Sequence, residues 1–308
     1  MKTKIAISVF FLLSFLINAG NLHSSLQGLA LDSNTHISAV ASDEEHIWIG
    51  TNDGVYKINK KTKKGTHLTK DNSLLPSNYV TSICCRKNGN VWIGTSCGVL
   101  RYDNVTYVLV TTENSYLPDN HITSVVEDSE ENLWIGTYFG GLAKLHNFHY
   151  TVFNQKNSSL ASDCIFSLSA DDCGNIWVAP SKSGLVKIHG KDWQVFNADN
   201  SGLSAANISF VLKQDNKYFI GSYNEGMFTY NGTSFTKIEN PQTQVTNLRY
   251  AFNTDEKGKW VLGCDKGIYI LQQLACGSTN RDFISYNNLP DFVNTISNEN
   301  KKFVFAKL

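Results

Sequence analysis

Seven times along the chain a short apolar run ends on a small residue, and the copies recur at nearly constant spacing. The strongest read Ile47-Trp48-Ile49-Gly50-Thr51, Val91-Trp92-Ile93-Gly94-Thr95 and Leu133-Trp134-Ile135-Gly136-Thr137. Weaker copies are Ile176-Trp177-Val178-Ala179, Tyr218-Phe219-Ile220-Gly221-Ser222, Trp260-Val261-Leu262-Gly263-Cys264 and Phe303-Val304-Phe305-Ala306. With the small residue as register mark, positions 50, 94, 136, 179, 221, 263 and 306 lie 44, 42, 43, 42, 42 and 43 apart. A period of that size, filled with short strands, predicts a β-propeller with one four-stranded blade per repeat. The expected fold is all-β, a seven-bladed propeller over residues 21–308.

The third repeat shows the blade. Ile122 to Val126 is β-rich, Glu127 to Asn132 is a polar turn, and Leu133 to Thr137 is the second strand. Tyr138 to Gly141 turns the chain into Leu142 to Leu145, whose alternation suits a strand with one buried face. Tyr150 to Phe153 is the fourth strand, and Asn154 to Cys164 a polar link to the next repeat. Asn88-Gly89, Cys173-Gly174 and Lys257-Gly258 fall where a tight hairpin needs positive φ. The glycine of the WIG run is expected to permit close backbone approach between blades. Trp48, Trp92, Trp134 and Trp177 are expected to be wedges between blades. The acidic turns Asp43-Glu44-Glu45 and Asp171-Asp172 lack a calcium-loop ligand series, so they are expected to be solvated hairpins.

The seventh copy holds two strands, Val293 to Ser297 and a run to Ala306, and the sequence stops two residues later. Leu22 to Leu26 aligns with the fourth strand of other repeats, because Leu31 to Ile37 matches Leu75 to Val80. The last blade is therefore expected to be incomplete and closed by this N-terminal strand. Either that blade has three strands or the chain is a piece of a longer protein, and an ending directly after a strand favours the second. The opening Met1-Lys2-Thr3-Lys4, an apolar run from Ile5 to Ile17, and Asn18-Ala19-Gly20 read as a signal peptide over residues 1–20. The run is shorter than the roughly 20 apolar residues that span a bilayer. The expected location is periplasmic or secreted, with no stable membrane insertion after cleavage.

Basic and acidic residues balance, 27 against 27, which gives no support for a nucleic-acid partner. Seven cysteines are scattered without metal-ligand spacing. Cys164 and Cys173 bracket one strand and are too far apart to bridge, and most cysteines are expected to be buried thiols. One disulfide elsewhere stays open.

Residues 122–142 closely resemble the two-component regulator propeller repeat, which reads approximately V-x-S-I-x-E-D-x-x-G-x-L-W-I-G-T-x-x-G-G-L. Repeats one to four carry the pattern, with Ala179-Pro180 a departure in the fourth, while repeats five and six keep the glycines but shift or replace the Trp. The resemblance implies a periplasmic sensory propeller of the kind found in Bacteroidetes hybrid two-component systems, many of which respond to glycan fragments. It implies no kinase activity, because the chain carries no kinase core.

In a propeller the fourth-to-first and second-to-third links gather at one mouth. The residues just before each first strand are His36, Tyr79, His121, Cys164, Asn207, Asn247 and Phe292. The second-to-third loops add Asn52, Asp53, Tyr138, Phe139, Lys182, Tyr223, Asn224, Asp265 and Lys266. Aromatic faces beside amides and carboxylates suit a small polar ligand such as an oligosaccharide. The expected ligand set is His36, Tyr79, His121, Asn207, Tyr138, Phe139 and Tyr223. A protein partner is the other candidate. No cofactor, metal site or catalytic residue is expected, since G-x-S-x-G, H-E-x-x-H and Walker patterns are absent and His146 and His149 lie on a strand and its following turn. The enzyme alternative is a propeller lyase or hydrolase with His36 and His121 as general bases across the channel.

Overall fold

The computed structural model describes residues 35–253, except 104, 148, 205–206, 215–216 and 239–247, and four further segments at 259–264, 267–272, 294–298 and 301–305. The first sheet holds β1 (Ile37–Ser42), β2 (His46–Thr51), β3 (Gly54–Asn59) and β4 (Gly65–Leu68). The second holds β5 (Val80–Cys85), β6 (Val91–Thr95), β7 (Gly98–Tyr102) and β8 (Tyr107–Val110). The third holds β9 (Ile122–Glu127), β10 (Leu133–Thr137), β11 (Leu142–His146) and β12 (His149–Phe153). The fourth holds β13 (Ile165–Ala170), β14 (Asn175–Pro180), β15 (Leu185–His189) and β16 (Asp192–Phe196). One helical turn, α1 (Ala198–Ser201), precedes the fifth, made of β17 (Ile208–Gln214), β18 (Lys217–Ser222), β19 (Gly226–Tyr230) and β20 (Phe235–Lys237). Three strands follow, β21 (Leu248–Asn253), β22 (Lys259–Cys264) and β23 (Gly267–Gln272), and then the pair β24 (Asn294–Asn298) and β25 (Lys301–Phe305).

Every sheet is antiparallel with its strands in chain order, so twenty strands form five complete four-stranded sheets. Residues 1–20, expected to be a signal peptide, Leu22 to Leu26, expected to close the last blade, and Ala306 lie outside the described residues. β12 begins at His149, one residue before the sequence suggests, and pairs His149 with His146 across its hairpin.

One irregularity repeats. Between the first and second strands the pairing skips a residue, at Ile37/Ala39, Val80/Ser82, Ile165/Ser167, Ile208/Phe210 and Leu248/Tyr250, and in the third sheet beside Gly136. In each case the small register residue pairs with the residue just past the bulge: Gly50 with Ala39, Gly94 with Ser82, Gly136 with Ser124, Ala179 with Ser167, Gly221 with Phe210 and Gly263 with Tyr250. The sequence period is thus a period of one bulged hairpin, a device that bends a strand and raises its twist.

The chain divides into two compact units, Met1–Ser115 with Asn288–Leu308, and Tyr116–Asn287. In the first, β1 lies beside β5, and Ser38 Oγ donates to the Val80 carbonyl at 2.6 Å. In the second, β9, β13, β17 and β21 adjoin in series. There the Leu168 N–H donates to Ser124 Oγ at 3.3 Å and the Val211 N–H to Ser169 Oγ at 3.4 Å. First strands packed one beside the next are what consecutive propeller blades require.

The second strands are buried along their whole length in the second, third and fourth sheets. Trp48 packs on Tyr102 of the following sheet with ring centroids 5.4 Å apart, and Trp177 on Tyr218 at 4.8 Å. Trp134 reaches the next sheet less directly, stacking on Phe153, which meets Trp193 at 5.1 Å. The register glycine is constrained by a side chain rather than by backbone approach. A Cβ on Gly50 would stand 2.5 Å from Val80 Cγ1, and one on Gly136 2.9 Å from Ile165 Cγ2.

The acidic hairpins are not simply solvated. Asp43, Asp128 and Asp171 accept the Nε1–H of Trp48, Trp134 and Trp177 at 2.7, 2.8 and 3.1 Å. Their other oxygen accepts backbone N–H groups of the same turn, such as Asn132 N–H at 2.8 Å and Asn175 N–H at 2.9 Å. Each carboxylate thus ties its hairpin to the indole of the second strand.

Candidate ligand site at the loop ends of the sheets

The links between sheets are built by a repeated Asn-Ser pair. The side-chain oxygens of Asn72, Asn114 and Asn157 each accept a backbone N–H three residues back at 2.8 Å, and that of Asn200 does so at 3.0 Å. Their amides donate to the carbonyls of His67, Leu109, Val152 and Val195 at 2.9–3.0 Å. Ser73, Ser115, Ser158 and Ser201 donate back to the carbonyl four residues earlier. Leu75, Leu117, Leu160 and Leu203 then plug each link into the core. These polar links are ordered supports, a role that a reading of them as loops overlooks.

The two sets of loop residues singled out by topology do meet. The N–H of Asn52, Ser96, Tyr138, Ser181 and Tyr223 donates to the carbonyl of His36, Tyr79, His121, Cys164 and Asn207 respectively, at 2.8–3.3 Å. His36 N–H in turn donates to Asn52 Oδ1 at 2.8 Å. In the first three sheets the second-to-third loop is clamped from beneath by the buried Thr that ends the second strand. Thr137 Oγ1 donates to the Gly141 carbonyl at 2.7 Å and accepts the Gly140 N–H at 3.1 Å. Thr51 and Thr95 make the matching donation to Gly54 and Gly98 at 2.8 Å.

The third sheet carries the most developed surface. His121 stacks on Tyr138 with centroids 5.1 Å apart, and Phe139 stands edge-on to Tyr138 at 4.6 Å. Phe139 is 70% exposed, yet its backbone is fixed because its N–H donates to Asp119 Oδ2 at 2.9 Å. Asp119 Oδ1 accepts the His121 N–H at 3.2 Å. One carboxylate therefore positions both loops that carry the rings. Tyr79, 57% exposed, occupies the matching place in the second sheet, and Asn207 and Tyr223 that in the fifth. His36 and Tyr79 belong to the first unit and His121, Tyr138, Phe139, Asn207 and Tyr223 to the second. Asn247, Phe292, Asp265 and Lys266 lie outside the described residues.

Elsewhere, Asp171, Asp172 and Cys173 bring three ligand-type atoms within 4.8 Å of one another. Lys213 Nζ lies 2.5 Å from Asp172 and 2.9 Å from Cys173, supplying the positive charge there. Among the described cysteines, Cys97 and Cys173 are exposed and Cys84, Cys85 and Cys164 partly buried, so the expectation of buried thiols holds for none of them in full. Burial pushes the Cys85 thiol far above its ordinary range. No helix among the described residues is long and apolar enough to cross a membrane.

No curated protein sequence matches the chain. Among solved structures, it is similar to the extracellular domain of a hybrid two-component system of B. thetaiotaomicron, at 21% identity and a TM-score of 0.62, over 78% of this chain and 33% of that one. A second structure of such a domain, described as a one-component system from the same organism, gives 17% identity and a TM-score of 0.60 over 82% of this chain and 36% of that one. The chain thus spans about a third of the length of those domains. Catalytically inactive virginiamycin B lyase from Staphylococcus aureus, with quinupristin, has the same fold at 12% identity and a TM-score of 0.65, over 82% and 85% of the two chains. The profile of the two-component regulator propeller repeat matches residues 74–97 and 116–139. Those stretches run from the end of each link through the bulged first hairpin into the second-to-third loop, so the chain carries two matches to the two-component regulator propeller repeat.

Proposed function

We propose that this chain is an extracytoplasmic sensory propeller that recognises a small polar ligand, of the oligosaccharide class, at the loop ends of its sheets. The observation that carries the reading is the fixed aromatic corner of His121, Tyr138 and Phe139. Asp119 holds the backbone of an exposed Phe in place before any ligand arrives, which lowers the cost of binding. A pyranose presents an apolar C–H face that stacks on such rings, while its hydroxyls suit the amides and carboxylates nearby. In this proposal seven blades close a ring, Leu22 to Leu26 supplies the outer strand of the last, and residues 1–20 direct export to the periplasm or beyond. Asn207 and Tyr223 extend the surface within the same unit, and His36 and Tyr79 stand at the matching loop ends of the other unit.

The test is binding by the full chain to an oligosaccharide array, followed by Tyr138→Ala and Phe139→Ala. Loss of binding without loss of folding supports the site, and unchanged binding removes it. The likeness to a lyase fold is addressed by the same sample: a sensor returns the glycan intact, whereas an enzyme returns fragments.

A further inference from the structure

In the first, third and fourth sheets the second-strand indole finds a carboxylate on the preceding hairpin, but the second sheet breaks the rule. Its backbone is the same: the Arg86 N–H donates to the Asn90 carbonyl at 2.8 Å, as Asp128 does to Asn132 and Asp171 to Asn175 at 3.0 Å. Trp92 pairs with Cys84 just as Trp134 pairs with Val126 and Trp177 with Ser169. Yet Arg86 stands where the aspartates stand, and the buried Trp92 Nε1 has no hydrogen-bond partner among the described residues. A buried N–H left unpaired forfeits its hydration without recompense. The fifth sheet shows that the mismatch is specific. There Phe219, paired with Leu212, replaces the indole, and Gln214 takes the hairpin position, so no acceptor is needed.

Half of the missing carboxylate's work is done by another residue. Asn88 Oδ1 accepts the Asn90 N–H at 3.0 Å, replacing the aspartate oxygen that serves Asn132 and Asn175. The indole's acceptor, the other aspartate oxygen, has no replacement among the described residues. In the third and fourth sheets that oxygen accepts both the Trp Nε1–H and the Asn Nδ2–H, the latter at 2.7 Å. Trp92 and Asn90 are the same two residue types in the same places. The hairpin is also cationic, Arg86-Lys87, where its counterparts are acidic.

The geometry points to an anion site on this hairpin, in which a small carboxylate accepts from Trp92 Nε1 and Asn90 Nδ2 at the place filled elsewhere by an aspartate oxygen. Arg86 and Lys87 supply the favourable charge. The ligand class is a monocarboxylate of formate or acetate size, because the position corresponds to a single carboxylate group inside a closed turn.

The experiment is thermal melting of the full chain against sodium formate and, separately, sodium chloride, for the wild type, Arg86→Asp and Trp92→Phe. A ligand that binds only the folded state raises the melting temperature in a saturable way. The expected rise is about 2–4 °C with formate for the wild type. Arg86→Asp, which supplies its own carboxylate, is expected to melt higher than the wild type without formate and to lose the response. Trp92→Phe, which copies the choice of Phe219 in the fifth sheet, is expected to fold and also to lose it. An equal response in all three proteins, or none in the wild type, overturns the site. A response to chloride alone overturns the carboxylate assignment.

Discussion

The indole Nε1–H of Trp134 donates to Asp128 Oδ2 at 2.8 Å, and the same carboxylate accepts from Asn132. A hairpin and the strand that follows it are thereby locked around one buried ring, with Lys144 Nζ 5.1 Å over its face. Trp134→Ala is expected to destabilise the domain by about 3–5 kcal/mol, the range for deleting a large core aromatic. Asp128→Ala, which leaves the indole N–H buried and unpaired, is expected to cost about 1–3 kcal/mol. Chemical denaturation measures both. A Trp134→Ala change below about 1 kcal/mol would mean the ring does not act as a core wedge.

The hairpin of the third sheet carries a second expectation. Glu131 adopts φ +65°, at the place where the second and fourth sheets have Gly89 at +86° and Gly174 at +80°. A left-handed conformation costs an L-residue roughly 1–2 kcal/mol, part of which glycine returns through its looser unfolded chain. Glu131→Gly is expected to stabilise the protein by up to about 1 kcal/mol. Loss of stability in the melting curve would show that the Glu131 side chain contributes more than its backbone strain removes.

Acid should weaken the fold through Asp171. Burial pushes its carboxyl up, but hydrogen bonds from Asn175, Trp177 and Tyr218 outweigh this and hold it below its ordinary value. A carboxyl depressed in the folded state stabilises that state above the unfolded pKa, about 3.9, and loses the contribution as pH falls through the folded value. Asp43, held down through Trp48, His46 and Glu45 against the opposing effect of burial, acts in the same direction. Denaturation midpoints should be insensitive to these groups near neutrality and fall below about pH 4. Asp171→Asn should flatten part of that fall.

Much of this fold is legible in the sequence because the register residue is fixed by packing. Gly50 and Gly136 leave no room beside Val80 and Ile165, so the small residue recurs wherever a bulged first strand follows. The Asp–Trp tie is harder to read. An aspartate in a hairpin looks like an ordinary turn residue, and its burial depends on an indole several positions away. The available signal is the recurrence of Asp43 with Trp48, Asp128 with Trp134 and Asp171 with Trp177, and its interruption at Arg86. The candidate site is legible by topology, since residues before the first strand and in the second-to-third loop must meet at one sheet end. The stacking of His121 on Tyr138 and the carboxylate of Asp119 beneath Phe139 depend on side-chain direction, which periodicity does not reveal.

The central claim, recognition at the aromatic corner, is tested most directly by the dissociation constant of an array-identified oligosaccharide for the wild type and for Tyr138→Ala. The account predicts a ten- to hundredfold weakening, about 1.4–2.7 kcal/mol, with an unchanged melting temperature of the free protein. Equal affinity in the two proteins, or an array on which the wild type binds no oligosaccharide, would contradict it.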